Sequence, residues 1–152
     1  MINYYTRQNK KKGFTLIEVL IVIAIITMLG SLFMGNVFSA IARGRDSRRK
    51  LDLKTLAEAL EFYYNDLRSY PNNLPAADTP FTHPINSNVI YIQKTPADPR
   101  SRNSYCYESV DGSQYKIATN LENPGDTDIL ASPTNCGGVD YNYGITSPNI
   151  NL

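Results

Sequence analysis

The sequence has 152 residues and a formal net charge of +1 at pH 7, with 42% hydrophobic residues, one histidine and two cysteines. Once a long oily segment near its start is set aside, that length leaves room for one modest domain and no second core. Arg7, Lys10, Lys11 and Lys12 precede Gly13, so from Phe14 onward the other 11 of 15 basic residues face all 14 acidic ones, a net −3. Nothing in that balance looks like a nucleic-acid-binding domain.

Residues 10–20 read KKKGFTLIEVL and place a carboxylate, Glu18, at the head of the oily segment, where a bare charge in hydrocarbon would cost several kcal/mol. From Val19 to Ala42 no residue is charged, and 24 residues at ~1.5 Å each reach ~36 Å, enough for a hydrocarbon core of ~30 Å. The segment over 14–42 is therefore expected to span a membrane. The alternative is a secretory signal peptide cut after Ala42, for which Ala40-Ile41-Ala42 supplies small residues. Against it, the run exceeds the usual ~7–15 apolar residues, and a signal peptide has no use for Glu18. Basic residues flank the run on both sides, so charge bias alone gives no orientation. Arg43, Arg45, Arg48, Arg49 and Lys50 read as a solvated patch facing lipid headgroups, with a specific partner site as the other reading.

Beyond that cluster the pattern becomes one-sided. Leu53, Leu56, Leu60, Tyr63 or Tyr64, and Leu67 recur every three or four residues, while Asp52, Lys54, Glu58, Glu61, Asp66 and Arg68 fill the other faces. No proline interrupts Phe14 to Tyr70, so one helix of some 54 residues, ~80 Å, is expected to run from Phe14 to about Leu67. Gly30, Gly35 and Gly44 are its weak points at ~1 kcal/mol each relative to alanine. They mark either a place where the helix melts on assembly or close helix-to-helix approach. Ser69-Tyr70-Pro71 ends the helix, because a residue before proline is pushed out of the helical region.

Six of the nine prolines fall between Pro71 and Pro99, which predicts a surface loop with one short strand at Val89 to Ile92. Ser104 to Val110 and Ser113 to Asn120 then form the clearest hairpin, around the type I′ turn pair Asp111-Gly112. Leu121 to Pro133 reads as loop, and Tyr141 to Ile145 as a last short strand. The fold class is α+β: a long N-terminal helix packed by its second half on a small antiparallel sheet. Cys106 and Cys136 are too far apart for a C-x-x-C pattern, and a single disulfide in an oxidising compartment is the plain reading against two free thiols. Asp126 and Asp128, with Asp140 as a third, are oxygen ligands of the kind calcium requires; a solvated loop is the bland reading. His83 lies among Pro80, Thr82 and Pro84 as an exposed loop histidine. No G-x-S-x-G, Walker loop or H-E-x-x-H is present, so no enzyme is expected. Half-buried positions on a thin sheet account for most of the 11 tyrosines.

Lys12 to Leu20, Lys-Gly-Phe-Thr-Leu-Ile-Glu-Val-Leu, resembles the N-terminal signature of bacterial type IV pilins and the pseudopilins of type II secretion. Asp52-Leu53 to Ala59-Leu60, Tyr63 to Asp66, Ser69 to Pro71, Pro96 to Pro99 and the Tyr-rich hairpin resemble the major pseudopilins in spacing. Where those proteins commonly have tryptophan and glycine after the Asp-Pro, this chain has Arg100-Ser101, and they commonly hold calcium in the C-terminal loop.

The resemblance implies that residues 1–13 are a leader, cut by a prepilin peptidase between Gly13 and Phe14 on the cytoplasmic side, with methylation of the new Phe14 amine. The oily helix is then retained in the inner membrane, and residues 43–152 lie outside the cytoplasm. The cut would leave an ammonium one turn from Glu18, and at ~4 Å two unit charges attract by about 4 kcal/mol at an effective dielectric of ~20. The resemblance implies that Glu18 of an incoming subunit meets the Phe14 ammonium of a neighbour, building an open helical homopolymer with other pilins on an inner-membrane assembly platform. Snorkelling of Glu18 to the headgroups is the alternative. The expected product is a pilus or pilus-like filament, or else a periplasmic pseudopilus; a secreted soluble binding domain is the third reading. No cofactor is expected apart from calcium.

Overall fold

The computed structural model describes residues 13–150; the leader lysines and Arg7 lie outside them. The chain divides into two compact units, with the boundary between Phe38 and Ser39. A single helix, α1 (Leu16–Leu67), runs through the described sequence, uninterrupted by proline as expected.

In the first unit the helix turns its large apolar side chains outward. Leu16, Ile17, Val19 to Ile23, Ile25, Ile26, Met28 and Leu29 are all about half exposed or more. The hydroxyls among them are satisfied locally: Thr27 donates to the Ile23 and Ala24 carbonyls, both at 2.9 Å, and Ser31 to that of Met28 at 2.8 Å. Such back-bonding leaves no side-chain polar group seeking a partner along this stretch. Among the described residues no helix is long and apolar enough to cross a membrane. Side chains are described without a break from Leu16 to Ser31, ~24 Å of helix, and those of residues 32–36 lie outside the described set. The expected span over 14–42 thus rests on the sequence alone.

In the second unit the helix from Ser39 onward buries one stripe. Leu53, Leu56 and Leu60 are at most 1% exposed, and Ala59 joins them. They pack with Tyr70, Phe81, Tyr105, Tyr115 and Ile117. The helix ends at Leu67, where Arg68 turns into the left-handed region at φ 56° and donates its amide to the Tyr64 carbonyl at 2.7 Å. That is the end expected before Tyr70-Pro71.

Among the described residues seven short strands follow. β1 (Phe81–Thr82) pairs with β2 (Ile90–Ile92) inside the proline-rich stretch, so the single strand expected there has a partner. β3 (Cys106–Val110) and β4 (Gln114–Thr119) form the expected hairpin, and β7 (Tyr143–Thr146) adds antiparallel to β4, giving the order β3-β4-β7. β5 (Thr134–Cys136) and β6 (Val139–Tyr141) make a further hairpin that the sequence reading missed. Along β4, Tyr115 and Ile117 alternate into the core, as a strand with one face on a helix requires.

Asp111 and Gly112 both have positive φ, 51° and 65°, and the Ser113 amide donates to Val110 at 3.0 Å, which is the expected I′ turn. Gly112 does a second job: its carbonyl accepts the Tyr70 amide at 2.8 Å, and a Cβ there would run into the Ser69 side chain. The tyrosines fill the space between helix and sheet. Tyr64 stacks on Tyr70 at 4.6 Å between centroids, Tyr70 meets Tyr115 edge-on at 4.7 Å, and Tyr63 stacks on Phe81 at 5.4 Å.

Candidate functional site

Three groups of residues are candidates for function: the segment around Gly13, Phe14 and Glu18, the basic cluster after the oily run, and the aspartates of the C-terminal loop.

Gly13 and Phe14 precede the helix, and Phe14 is 82% exposed. Thr15 begins it. Its hydroxyl accepts the Glu18 amide at 3.3 Å, while Glu18 Oε2 accepts the Thr15 amide at 3.3 Å. This reciprocal arrangement is a capping box, in which two otherwise unpartnered amides at a helix start are satisfied by the side chains three residues away. The signal is visible in the sequence as T-L-I-E, and the reading of Glu18 as a partner for the Phe14 ammonium overlooked it. Phe14, Thr15, Leu16, Val19, Leu20 and Ile23 border a shallow apolar depression beside the box.

The basic cluster is only in part the solvated patch expected: Arg43 and Arg48 are exposed, but Arg45, Arg49 and Lys50 turn to carboxylates of the C-terminal domain. Arg49 has a side chain only 4% exposed and bonds three carboxylates: Asp46 at 2.8 Å, Asp98 at 2.6 Å and Glu122 at 2.8 Å. Arg45 donates to Glu122 as well, through Nε at 2.9 Å and through Nη2. Asp46, itself buried, accepts the amides of Glu122 and Asn123 at 2.8–3.1 Å. Asp52, placed on a solvent face from its polarity, is buried too; it accepts the Tyr105 hydroxyl at 2.8 Å and Arg48 Nε at 2.9 Å. Asp46, Arg49, Leu53, Leu56 and Leu60 are spaced three and four apart, so the charged residues extend the leucine stripe. A search for apolar periodicity cannot see them, because polarity hides a buried position when its partner lies far along the chain.

The arginine contacts fix Glu122 and Asp98 as anions. Hydrogen bonds from Arg45 hold the Glu122 carboxyl down at about 2, against a smaller upward push from burial. Burial alone would push Asp98 up, but Arg49 and the Ser101 and Arg100 amides outweigh it and hold the group at about 2. Burial raises the Asp52 carboxyl despite Tyr105 and Arg48.

The three candidate calcium ligands do not converge. Asp126 Oδ1 and Asp128 Oδ2 lie 2.5 and 2.7 Å from Lys50 Nζ. Asp140 Oδ1 instead accepts Asn135 Nδ2 at 2.8 Å on the β5–β6 hairpin. Among the described residues no group of three or more His, Cys, Asp or Glu side chains is placed to hold a metal. The donor set does not fit calcium, because the lysine ammonium fills the place between its two carboxylates.

Cys106 and Cys136 are joined in a disulfide that ties β3 to β5. His83 is half-buried rather than exposed, and its Nδ1 accepts the Ile85 and Asn86 amides, both at 3.1 Å, capping the turn between β1 and β2.

Residues 8–34 match the prokaryotic N-terminal methylation motif, and residues 36–127 match the type II secretion system protein G family. The type II secretion system core protein G of Pseudomonas aeruginosa is 30% identical over 141 residues, 88% of this chain and 92% of its own length. That of Escherichia coli strain K12 is 32% identical over 98 residues, covering 60% of this chain and 68% of its own. The type IV wide pilus major component PilA4 of Thermus thermophilus is 36% identical over 101 residues, covering 62% and 70%. No solved structure matches.

Proposed function

Since the chain belongs to the type II secretion system protein G family, behind a prokaryotic N-terminal methylation motif, we propose that it is a structural, non-enzymatic filament subunit of the pseudopilus kind. It is made as a single-pass membrane precursor, with residues 14–42 in the inner membrane and the C-terminus outside. A prepilin peptidase removes residues 1–13, and the Phe14 amine is methylated. The mature chain is then drawn into a fibre with further copies and other pilins by an inner-membrane platform.

One observation carries this reading: an exposed, non-helical Gly13-Phe14 bond stands directly ahead of a helix whose described apolar side chains from Leu16 to Leu29 are about half exposed or more. A peptidase needs an extended segment, and a fibre needs apolar helix surface free for neighbours. Glu18 sets the register. Its carboxylate sits at the helix start, where an incoming subunit's acid and a resident subunit's Phe14 ammonium can neutralise each other in a low-dielectric surrounding. A contact of that head-to-tail type does not close, so it generates an open helical assembly.

A second reading, a surface pilus, is favoured by the resemblance to the Thermus wide-pilus component. Imaging of sheared surface material separates the two, since a pseudopilus leaves no long surface fibres. For the shared mechanism, the Glu18→Ala chain should be recovered with its N-terminus at Phe14 and methylated, yet form few or no fibres. Normal fibres from that variant would overturn the pairing. A native N-terminus elsewhere than Phe14, read by intact mass, would overturn the processing.

A further inference from the structure

The segment between β4 and β5 brings Asp126 and Asp128 to one point, and neighbouring carboxylates repel each other, which a cation between them offsets. That cation is Lys50. Lys50 Nζ lies 2.5 Å from Asp126 Oδ1 and 2.7 Å from Asp128 Oδ2, and stands over the Tyr143 ring at 5.9 Å from its centroid. Its side chain is 20% exposed, so solvent reaches it from one side only. Burial by itself would lower the ammonium's proton affinity, but the two carboxylates raise it, which keeps the charge in place.

The rest of the segment is pinned around this contact. The Asp128 amide donates to Asp126 Oδ1 at 3.0 Å, the Leu130 amide to the Asn142 carbonyl at 2.9 Å, and the Leu121 amide to Asn142 Oδ1 at 2.7 Å. A calcium ion in the same place would need six to eight oxygens at about 2.3–2.6 Å. Here a nitrogen occupies the gap, and the third candidate carboxylate, Asp140, is engaged by Asn135.

We infer that Lys50 is the resident cation of the β4–β5 loop, which is ordered by the chain's own ammonium and takes no divalent metal for that purpose. The inference holds whichever fibre the subunit builds. It makes this part of the molecule indifferent to the divalent-ion content of its surroundings.

The test uses the full chain in detergent micelles. It follows thermal unfolding and the rate of cleavage by a protease selective for large apolar residues, for which Ile129 and Leu130 are sites within the loop. Neither excess chelator nor millimolar calcium should change either reading in the wild-type protein; a melting temperature raised by calcium and lowered by chelator would overturn the inference. Lys50→Met should be cut in the loop several-fold faster, and cutting at the wild-type rate would count against a resident cation. Should that variant fail to fold, Asp126→Asn combined with Asp128→Asn decides the matter with Lys50 intact. Faster loop cleavage supports the inference, and an unchanged rate overturns it.

Discussion

Between Leu16 and Leu29 the helix turns leucine, isoleucine and valine outward, with Leu16 81% and Ile26 61% exposed, whereas between Asp46 and Asp52 it buries two aspartates and an arginine to 3% or less. The usual sorting of side chains by polarity is inverted in both stretches. What decides burial in each is the partner, not the residue type. The charged stretch meets Asp98, Tyr105 and Glu122 from distant parts of its own chain, so every buried charge finds an opposite charge or a hydrogen bond. The apolar stretch is left exposed among the described residues of its own unit, and a contiguous apolar surface of that kind marks a place for a partner.

The contrast can be broken most sharply at Arg49. Replacing it by methionine leaves Asp46, Asp98 and Glu122 without their shared cation, and uncompensated buried charge of this sort costs about 3–5 kcal/mol. Denaturant unfolding should show that loss in the second unit, while the helical signal of the Leu16–Phe38 stretch in micelles stays as it was. Equal loss in both would show that the two stretches are not independent.

Acid sharpens the same comparison with a somewhat smaller effect. Glu122 and Asp98 release their protons at about 2 in the folded chain, below the ordinary range of about 4 for unfolded carboxyls. The unfolded state therefore binds more protons as pH falls. Stability is fully present above roughly pH 5 and drains away toward pH 2. The melting temperature of the second unit should fall across that window, and Glu122→Gln should flatten the fall. A flat profile in the wild-type chain would contradict the ion network.

The smallest expected effect lies away from the charges, at the hairpin tip. Gly112→Ala forces a side chain into positive φ, at a cost of about 1–2 kcal/mol, and presses on Ser69 where the chain leaves the helix. Melting should drop by a few degrees with the acid profile unchanged in shape. A shift in that profile would mean that the hairpin and the ion network are coupled.

Much of this architecture could be read from residue order. The leucine spacing from Leu53 to Leu60, the Ser69-Tyr70-Pro71 stop and the Asp111-Gly112 turn are local rules, each decided within a few residues, and each appears where expected. What escaped depends on long-range pairing. β5 and β6 are three residues each, Thr-Asn-Cys and Val-Asp-Tyr, too short for any alternation to betray them. Arg45, Arg49 and Lys50 read as an outward patch because Glu122, Asp126 and Asp128 are more than 70 residues away. The functional segment behaved differently. Its motif was legible at Lys12 to Leu20, and only the local role of Glu18 beside Thr15 went unread.

That role has a consequence for how an acid can enter an oily environment at all. Folded back on Thr15, the Glu18 carboxylate lies at the amino end of α1, where aligned peptide dipoles present the equivalent of about half a positive charge. The anion thus carries part of its counter-charge within its own backbone, and in the proposed assembly a docking ammonium would have only the remainder to supply.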